Sequence, residues 1–306
     1  MRIGLNSGGI ARGGFDETLA RFSKAEADGF YNCWASSAGY DPIMLLSHAG
    51  RVTQTLELGT AIIPTYPRHP IALAQMALTA QAATNNRFVL GIGLSHRVSM
   101  EERLGFDFSK PILHMREYLM ILKGALSGQA VDFQGKLYRV KTQLTITGVT
   151  PPPVIVAALG AQMLKLAGTL ADGTITWMGG PKYLETTAIP HITKAAQAAG
   201  KPAPRVVAGF PICVTNKMEA AKATVAQTFA NYANLPSYRA ILEIEGAPDV
   251  TLAAIVGDES AVEKQLRQLA AIGVTDFNGQ VVGLSDDPDA AKRTREFLAT
   301  LAKAGI

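Results

Sequence analysis

Apolar residues along this chain fall into short runs, each followed by a longer stretch of helical period. "RIGLN" opens at Arg2. The stretch after it, capped by Asp16, sets Leu19, Phe22 and Ala25 on one face and stops at Gly29. "FYNCWAS" from Phe30 precedes a helix capped by Asp41, with Pro42 in the favoured first turn. "LELGTAI" from Leu56 leads into a helix from Pro70, and "RFVLGIG" from Arg87 into one over 111–126. "PVIVAAL" from Pro153 is followed by a helix from Ala161, and "GTITWM" from Gly173 by one reaching Ala199. "RVVAGFPICVT" from Arg205 precedes a helix over 217–233, and "GVTDFNGQVV" from Gly273 precedes a last helix from Asp287. Two segments interrupt the alternation. "AVDFQGKLYRVKTQLTI" alternates apolar and polar residues around Gly135, as a hairpin does. "NLPSYRAILEIEGAPDVTLAAIVGDES" is a polar insertion ending where Asp258 or Ser260 caps another helix.

Eight βα units with continuous apolar strands predict parallel strands buried on both faces. The fold expected is a (β/α)8 TIM barrel, one domain over 1–306. It carries a hairpin insertion after strand four and a second insertion between strands seven and eight. The alternative, an open doubly wound sheet, usually places G-x-G-x-x-G after its first strand, and "LNSGGIARGG" does not fit that pattern.

Composition adds limits. Of 306 residues, 48% are hydrophobic and 18% charged, below the usual value of about 25%, so much of the chain is expected to be buried. The net charge of +4 suits an acidic small ligand, but no block of like charges forms the basic stripe of a nucleic-acid protein. "PIALAQMALTAQAA" is broken by Gln75 and Gln81 and falls short of the roughly 20 apolar residues of a membrane helix. Cys33 and Cys213 lack metal spacing and read as reduced, buried thiols. "MRIGLNSGG" has no signal-peptide apolar region. A cytoplasmic protein with a small-molecule substrate, binding neither nucleic acid nor membrane, is expected.

In a barrel the chemistry lies at the C-terminal strand ends. The residues expected there are Asn6, Ser7 and Gly8; Trp34 to Ser37; Ala61 to Ile63; and Gly91 to Arg97. Ala157 to Gly160, Trp177 to Gly180, Cys213 with Thr215, and Asp276 to Asn278 complete the set. No histidine pair has metal spacing and no carboxylates pair on neighbouring strands, so no metal site is expected. His48 and His114 fall inside helices, as structural residues do, and "GLSHR" is not a nucleophile elbow. Gly160 and Ala161 stand at a helix start, where free N–H groups can hold a phosphate or simply make a tight turn.

"LELGTAIIPTYPRHP" followed by "RFVLGIGLSH", "PVIVAALGAQMLKLAGTLADGTITWM" and "VGDESAVEKQLRQLAAIGVTDF" resemble, in order, segments of the luciferase-like flavin and deazaflavin oxidoreductases. The likeness is greatest to the branch that uses coenzyme F420, a deazaflavin carrying a phosphate and glutamates. The resemblance implies a non-proline cis peptide near Ala61–Ile62, bulging against the back of a tricyclic ring. It implies that Leu94, Ser95 and Ser99 flank the ribityl chain, and that Ala158, Leu159, Gly160 and Ala161 receive its phosphate. Arg97, with His96, is placed to hold the acidic tail or face the substrate; Arg68 and His69 extend that basic rim, or Arg68 is a capping or solvated charge. Trp34 and Trp177 are expected to wall the substrate pocket or to be core aromatics.

The chain departs from the pattern at strand two. Relatives there carry a histidine, and the deazaflavin dehydrogenases also an acidic residue, where this chain has Ala35 and Ser36. His96, in a position where some relatives have glutamate, is therefore the first candidate proton donor, followed by Tyr40 and Ser36. The activity implied is hydride transfer between F420 and a small organic substrate. An FMN-dependent monooxygenase supplied with reduced flavin by a separate reductase, and a non-catalytic flavin-binding protein, stay open. Homodimers are common in the superfamily, so a homodimer is a further expectation.

Overall fold

The structure is a computed structural model, and it describes residues 1–7, 14–246 and 249–306. The expected strand end at Gly8 and part of "LNSGGIARGG" lie outside the described residues. The chain runs β1 (Arg2–Asn6), α1 (Phe15–Asp28), β2 (Asn32–Ala35), α2 (Pro42–Val52), β3 (Glu57–Thr60), a short β4 (Ile63–Pro64) and α3 (Pro70–Ala83). Next come β5 (Phe88–Gly93), α4 (Pro111–Leu126), the hairpin β6 (Val131–Gln134) and β7 (Arg139–Thr142), β8 (Val154–Ala157) and α5 (Ala161–Leu170). Then β9 (Gly173–Trp177), α6 (Pro181–Tyr183), α7 (Ile189–Ala198), β10 (Arg205–Val214) and α8 (Met218–Thr228) follow. The chain ends with α9 (Pro236–Glu245), β11 (Ile255–Gly257), α10 (Glu259–Ala271), β12 (Asp276–Val281) and α11 (Ala290–Ala304).

Eight parallel strands close a (β/α)8 barrel in the order β1, β2, β3, β5, β8, β9, β10, β12, and β12 pairs back with β1. The register passes from Trp177 to Gly209, Asn278, Gly4, Asn32 and Glu57. Carried on through β5 and β8, it meets β9 about eight residues before Trp177, the stagger of a TIM barrel.

Several boundaries differ from expectation. α1 begins at Phe15 with Gly14 as its N-cap, so Asp16 lies in the first turn; there its charge favours the helix N-terminus. The segment over 217–233 ends as a helix at Thr228 and continues as a 3-10 turn over Ala230–Asn234. The last helix starts at Ala290, not Asp287. The helical stretch before Ala199 is broken by a π-helical turn at Leu184–Ala188. The polar second insertion contains α9 and adds β11 to the edge of β10. Asp41 and Asp258 cap α2 and α10 as their positions predict.

The floor of the barrel is polar. Asp276 is fully buried at the start of β12 and accepts from Arg2 Nη2 (2.7 Å), Asn32 Nδ2 (2.8 Å) and Arg205 Nη2 (2.6 Å). Arg205 also pairs with Glu57 and lies over the Trp34 ring at 5.3 Å. Trp34 donates its indole N–H to Asn32 Oδ1 (2.8 Å). Asp276 therefore sits at the end of the barrel opposite the mouth, not among the mouth residues where its place in "GVTDFN" put it. Above this layer Trp34, Val89, Ile155, Ile175 and Val207 fill the interior. A second apolar shell lies between the strands and the outer helices.

Burial alone would raise the Asp276 pKa, but hydrogen bonds and charge from Arg205 and Arg2 outweigh it and hold it below the carboxylate range. A depressed folded-state pKa means its stabilisation is present above the unfolded value and is lost as pH falls through the lower one. Asp276→Ala leaves the buried Arg205 short of a partner and is expected to cost about 3–5 kcal/mol in urea unfolding. Asp276→Asn is expected to show a shallower acid-induced loss of stability than the parent.

Candidate active site

The mouth of the barrel has a flat, small-residue floor. The peptide Ala61–Ile62 is cis, at the position the resemblance implies. Its surroundings hold it on both sides: Ala61 N–H donates to Ala35 O (2.8 Å), and Ser37 Oγ donates to Ile62 O (2.5 Å). Ala61, Ile62 and Ala157 lie over the interior cluster that contains Trp34, and all three are half-buried. Gly93 stands between them; a Cβ there would come within 3.0 Å of both Ala157 Cβ and Ile62 Cδ1. A side chain at position 93 would crowd Ala157 and Ile62, so glycine keeps this part of the mouth clear.

Trp34 is fully buried, its ring between Gly59 and Arg205. It supports the floor from below and does not wall a pocket. Trp177 does reach the mouth: it is half-buried, with Phe229 edge-on at 5.5 Å. Its Nε1 is buried with no partner, as is Oδ1 of Asn278 two strands away.

Beyond β5, Leu94, Ser95 and His96 are half-buried, and Ser95 adopts a left-handed backbone (φ 61°). The next turn is π-helical over Val98–Arg103 and holds Ser99. Such turns recur at functional sites. Arg97 is committed within this turn. It pairs with Glu101 (2.9 Å) and lies over the Phe108 ring at 5.3 Å, so it is not a free cation for an acidic tail. Arg68 is likewise tied, to Asp41 (2.5 Å), while His69 caps α3 through Nδ1. The proline corner 64–70 thus clamps the starts of two helices. Behind it His114 shares hydrogen bonds with Thr65 Oγ1 (2.9 Å) and Tyr138 OH (3.3 Å) and stacks on Tyr66 at 3.9 Å. Burial lowers the His114 pKa to about 4, consistent with a structural residue.

His96 sits in an aromatic setting that comes from the 3-10 turn after α8 and from α9. Tyr232 meets it edge-on at 6.0 Å and Tyr238 lies at 6.3 Å. Burial lowers its pKa below 6.5, so the imidazole is neutral near pH 7 and suited to accept a proton rather than to donate one. Tyr40 packs edge-on against Phe15 at 5.1 Å, and Ser36 is half-buried at the mouth. Tyr232, Tyr238 and Phe229 escaped the sequence reading. The one signal that could have found them is the bunching of three aromatics between positions 229 and 238.

At the far side of the floor, Ala158 is buried while Gly160 and Ala161 are exposed and Leu159 half-buried. Gly160 is the N-cap of α5, without a side-chain cap, and a Cβ there would meet nothing within 4 Å. The first intrahelical bond runs from Leu164 N–H to Gly160 O (2.9 Å), so the N–H groups before it face outward for an anion. Leu159 O accepts from Tyr183 OH (2.6 Å), and the N–H of Tyr183 donates to Glu245 of α9 (2.5 Å). The insertion is thereby fastened to the loop after β9. Among the described residues no group of three or more His, Cys, Asp or Glu is arranged to hold a metal ion, and no helix is long and apolar enough to cross a membrane.

Small residues and an open helix start stand at the C-terminal end of a closed parallel barrel, where enzymes of this fold place their sites. The chain belongs to the luciferase-like monooxygenase family, which it matches over residues 3–304. An uncharacterized protein of Mycobacterium tuberculosis is 27% identical over 294 residues, covering 90% of this chain and 82% of that one. The 5,10-methylenetetrahydromethanopterin reductase of Methanopyrus kandleri is 26% identical over 313 residues, covering 92% and 84%. The solved structure of coenzyme F420 dependent tetrahydromethanopterin reductase from the same organism superposes with a TM-score of 0.80 at 22% identity, covering 97% of each chain. The FMN complex of the oxygenating constituent of 3,6-diketocamphane monooxygenase from Pseudomonas putida superposes with a TM-score of 0.76 at 16% identity, covering 100% and 99%. At these identities the two superpositions speak to the fold alone.

Gly93→Val puts two methyl groups onto the floor. The barrel is expected to keep its circular dichroism spectrum, at a stability cost of about 1–3 kcal/mol, while affinity for a flat tricyclic ligand falls by more than about tenfold (1.4 kcal/mol).

Proposed function

We propose that this protein is an F420-dependent oxidoreductase acting on a small organic substrate. The observation that carries the reading is the level floor of Ala61, Ile62, Gly93 and Ala157, set beside the uncapped start of α5. The residues present fit a planar ring joined to a phosphate. Ala61 and Ile62 would back the ring, Ser95 and Ser99 would flank its chain, and the N–H groups after Gly160 would take the phosphate. When bound, the deazaflavin supplies hydride transfer at the ring carbon that replaces N5 of a flavin. The M. kandleri reductase, whose solved structure is described as F420-dependent, supports this choice of cofactor.

The chain's own residues position and exclude. Trp177, Phe229 and Tyr232 present apolar faces to the substrate side and keep water from it. His96, neutral and without a charged partner, accepts the proton that leaves a substrate as it is oxidised.

Fluorescence titration of the purified protein with F420 and with FMN tests the cofactor. Micromolar F420 binding with weaker FMN binding is expected, and the reverse order would overturn the reading. In the oxidative direction, activity is expected to rise with pH through a value below 6.5 and then level off. His96→Gln is expected to lower kcat by about 10²- to 10⁴-fold and to abolish that acid limb; a full-rate variant would remove the assignment.

A further inference from the structure

We propose that the groove between α4 and α5 binds a flexible polyanionic chain; resting on the F420 reading, that chain is the glutamate tail of the cofactor. The groove encloses about 470 Å³ between Ile112, Arg116 and Met120 on α4 and Gln162, Lys165 and Leu166 on α5. That is the size of a small-ligand site, yet it lies on the outer wall of the barrel, away from the floor of the mouth.

Three observations join it to the site. First, Gln162 lines the groove and also belongs to the exposed first turn of α5, directly after Gly160 and Ala161. The groove therefore begins where the phosphate position ends. Lys165 follows three residues later, about 4.5 Å further along the helix. Second, Arg116 and Lys165 are exposed and make no ion pair or hydrogen bond within the described residues. Arg68, Arg97 and Lys123, by contrast, are engaged, with Asp41, Glu101 and Asp172. Third, the groove mixes these two cations with apolar side chains. A γ-linked glutamate chain matches both features, its methylenes against Ile112 and Leu166 and its carboxylates against Arg116 and Lys165. The cations expected on sequence to meet an acidic tail, Arg97 and Arg68, are thus replaced by two that the structure leaves open. FMN ends at its phosphate and would not enter the groove, so this feature also favours the longer cofactor.

The test compares equilibrium binding of F420 bearing several glutamates with its glutamate-free form, followed by fluorescence at low and high salt. Two exposed ion pairs imply about three- to tenfold tighter binding of the glutamate-bearing form at low salt, with the gap closing near 1 M salt. Arg116→Ala combined with Lys165→Ala is expected to bring the glutamate-bearing form to the affinity of the other. Equal affinity of the two forms for the parent protein would overturn the groove assignment while leaving the F420 reading intact. Failure of both forms to bind would overturn the F420 reading and this assignment together.

Discussion

The structure depends on the charge cluster that closes the bottom of the barrel. Asp276 on β12 collects Arg2 from β1, Asn32 from β2 and Arg205 from β10, and Arg205 reaches Glu57 on β3. Five of the eight barrel strands are thus tied through one buried carboxylate. Such a cluster is costly to desolvate and is tolerable only when every member is paired. Pairing is possible here because the register brings the N-terminal ends of those strands to one level. The cluster holds Trp34 through Asn32 and Arg205, and Trp34 belongs to the interior cluster against which Ala61 and Ile62 pack. The floor of the site is therefore braced from the opposite end of the barrel.

At the mouth the design is one of omission on one side and addition on the other. Glycine at 93 and alanine at 61 and 157 leave a level surface. The chain from the end of α8 into α9 supplies bulk in the form of Phe229, Tyr232 and Tyr238, which set rings around His96 and Trp177. A neutral imidazole in such a setting is what desolvation without a charged partner produces. The insertion holds its place through Glu245, which binds the backbone at Tyr183 and lies against Gly180.

Much of this was legible along the chain. The eight apolar runs, the caps at Asp41 and Asp258 and the hairpin around Gly135 are local matters of period, capping and turn chemistry, and they stand where the pattern puts them. The cis peptide at Ala61–Ile62 came with the resemblance of its flanking motif. The side chains whose partners the pattern left unassigned share one cause. Arg97, Arg68, Trp34 and Asp276 were judged by their place in a strand or loop, but a long or charged side chain takes its role from the partner it reaches. Glu101, Asp41, Asn32 and Arg205 are those partners; Asp41 and Arg205 lie on elements distant in the chain, and Glu101 and Asn32 within four residues.

The sequence by itself determined the order of βα units, the closed parallel barrel and the family to which the chain belongs. Those follow from hydrophobic period and ordered motifs, which are written locally. Only the tertiary structure decided which cations are free, which aromatic residues face the mouth and which end of the barrel each strand residue occupies. Those depend on register and on contacts between elements distant in the chain, and the spacing of residues carries no record of either.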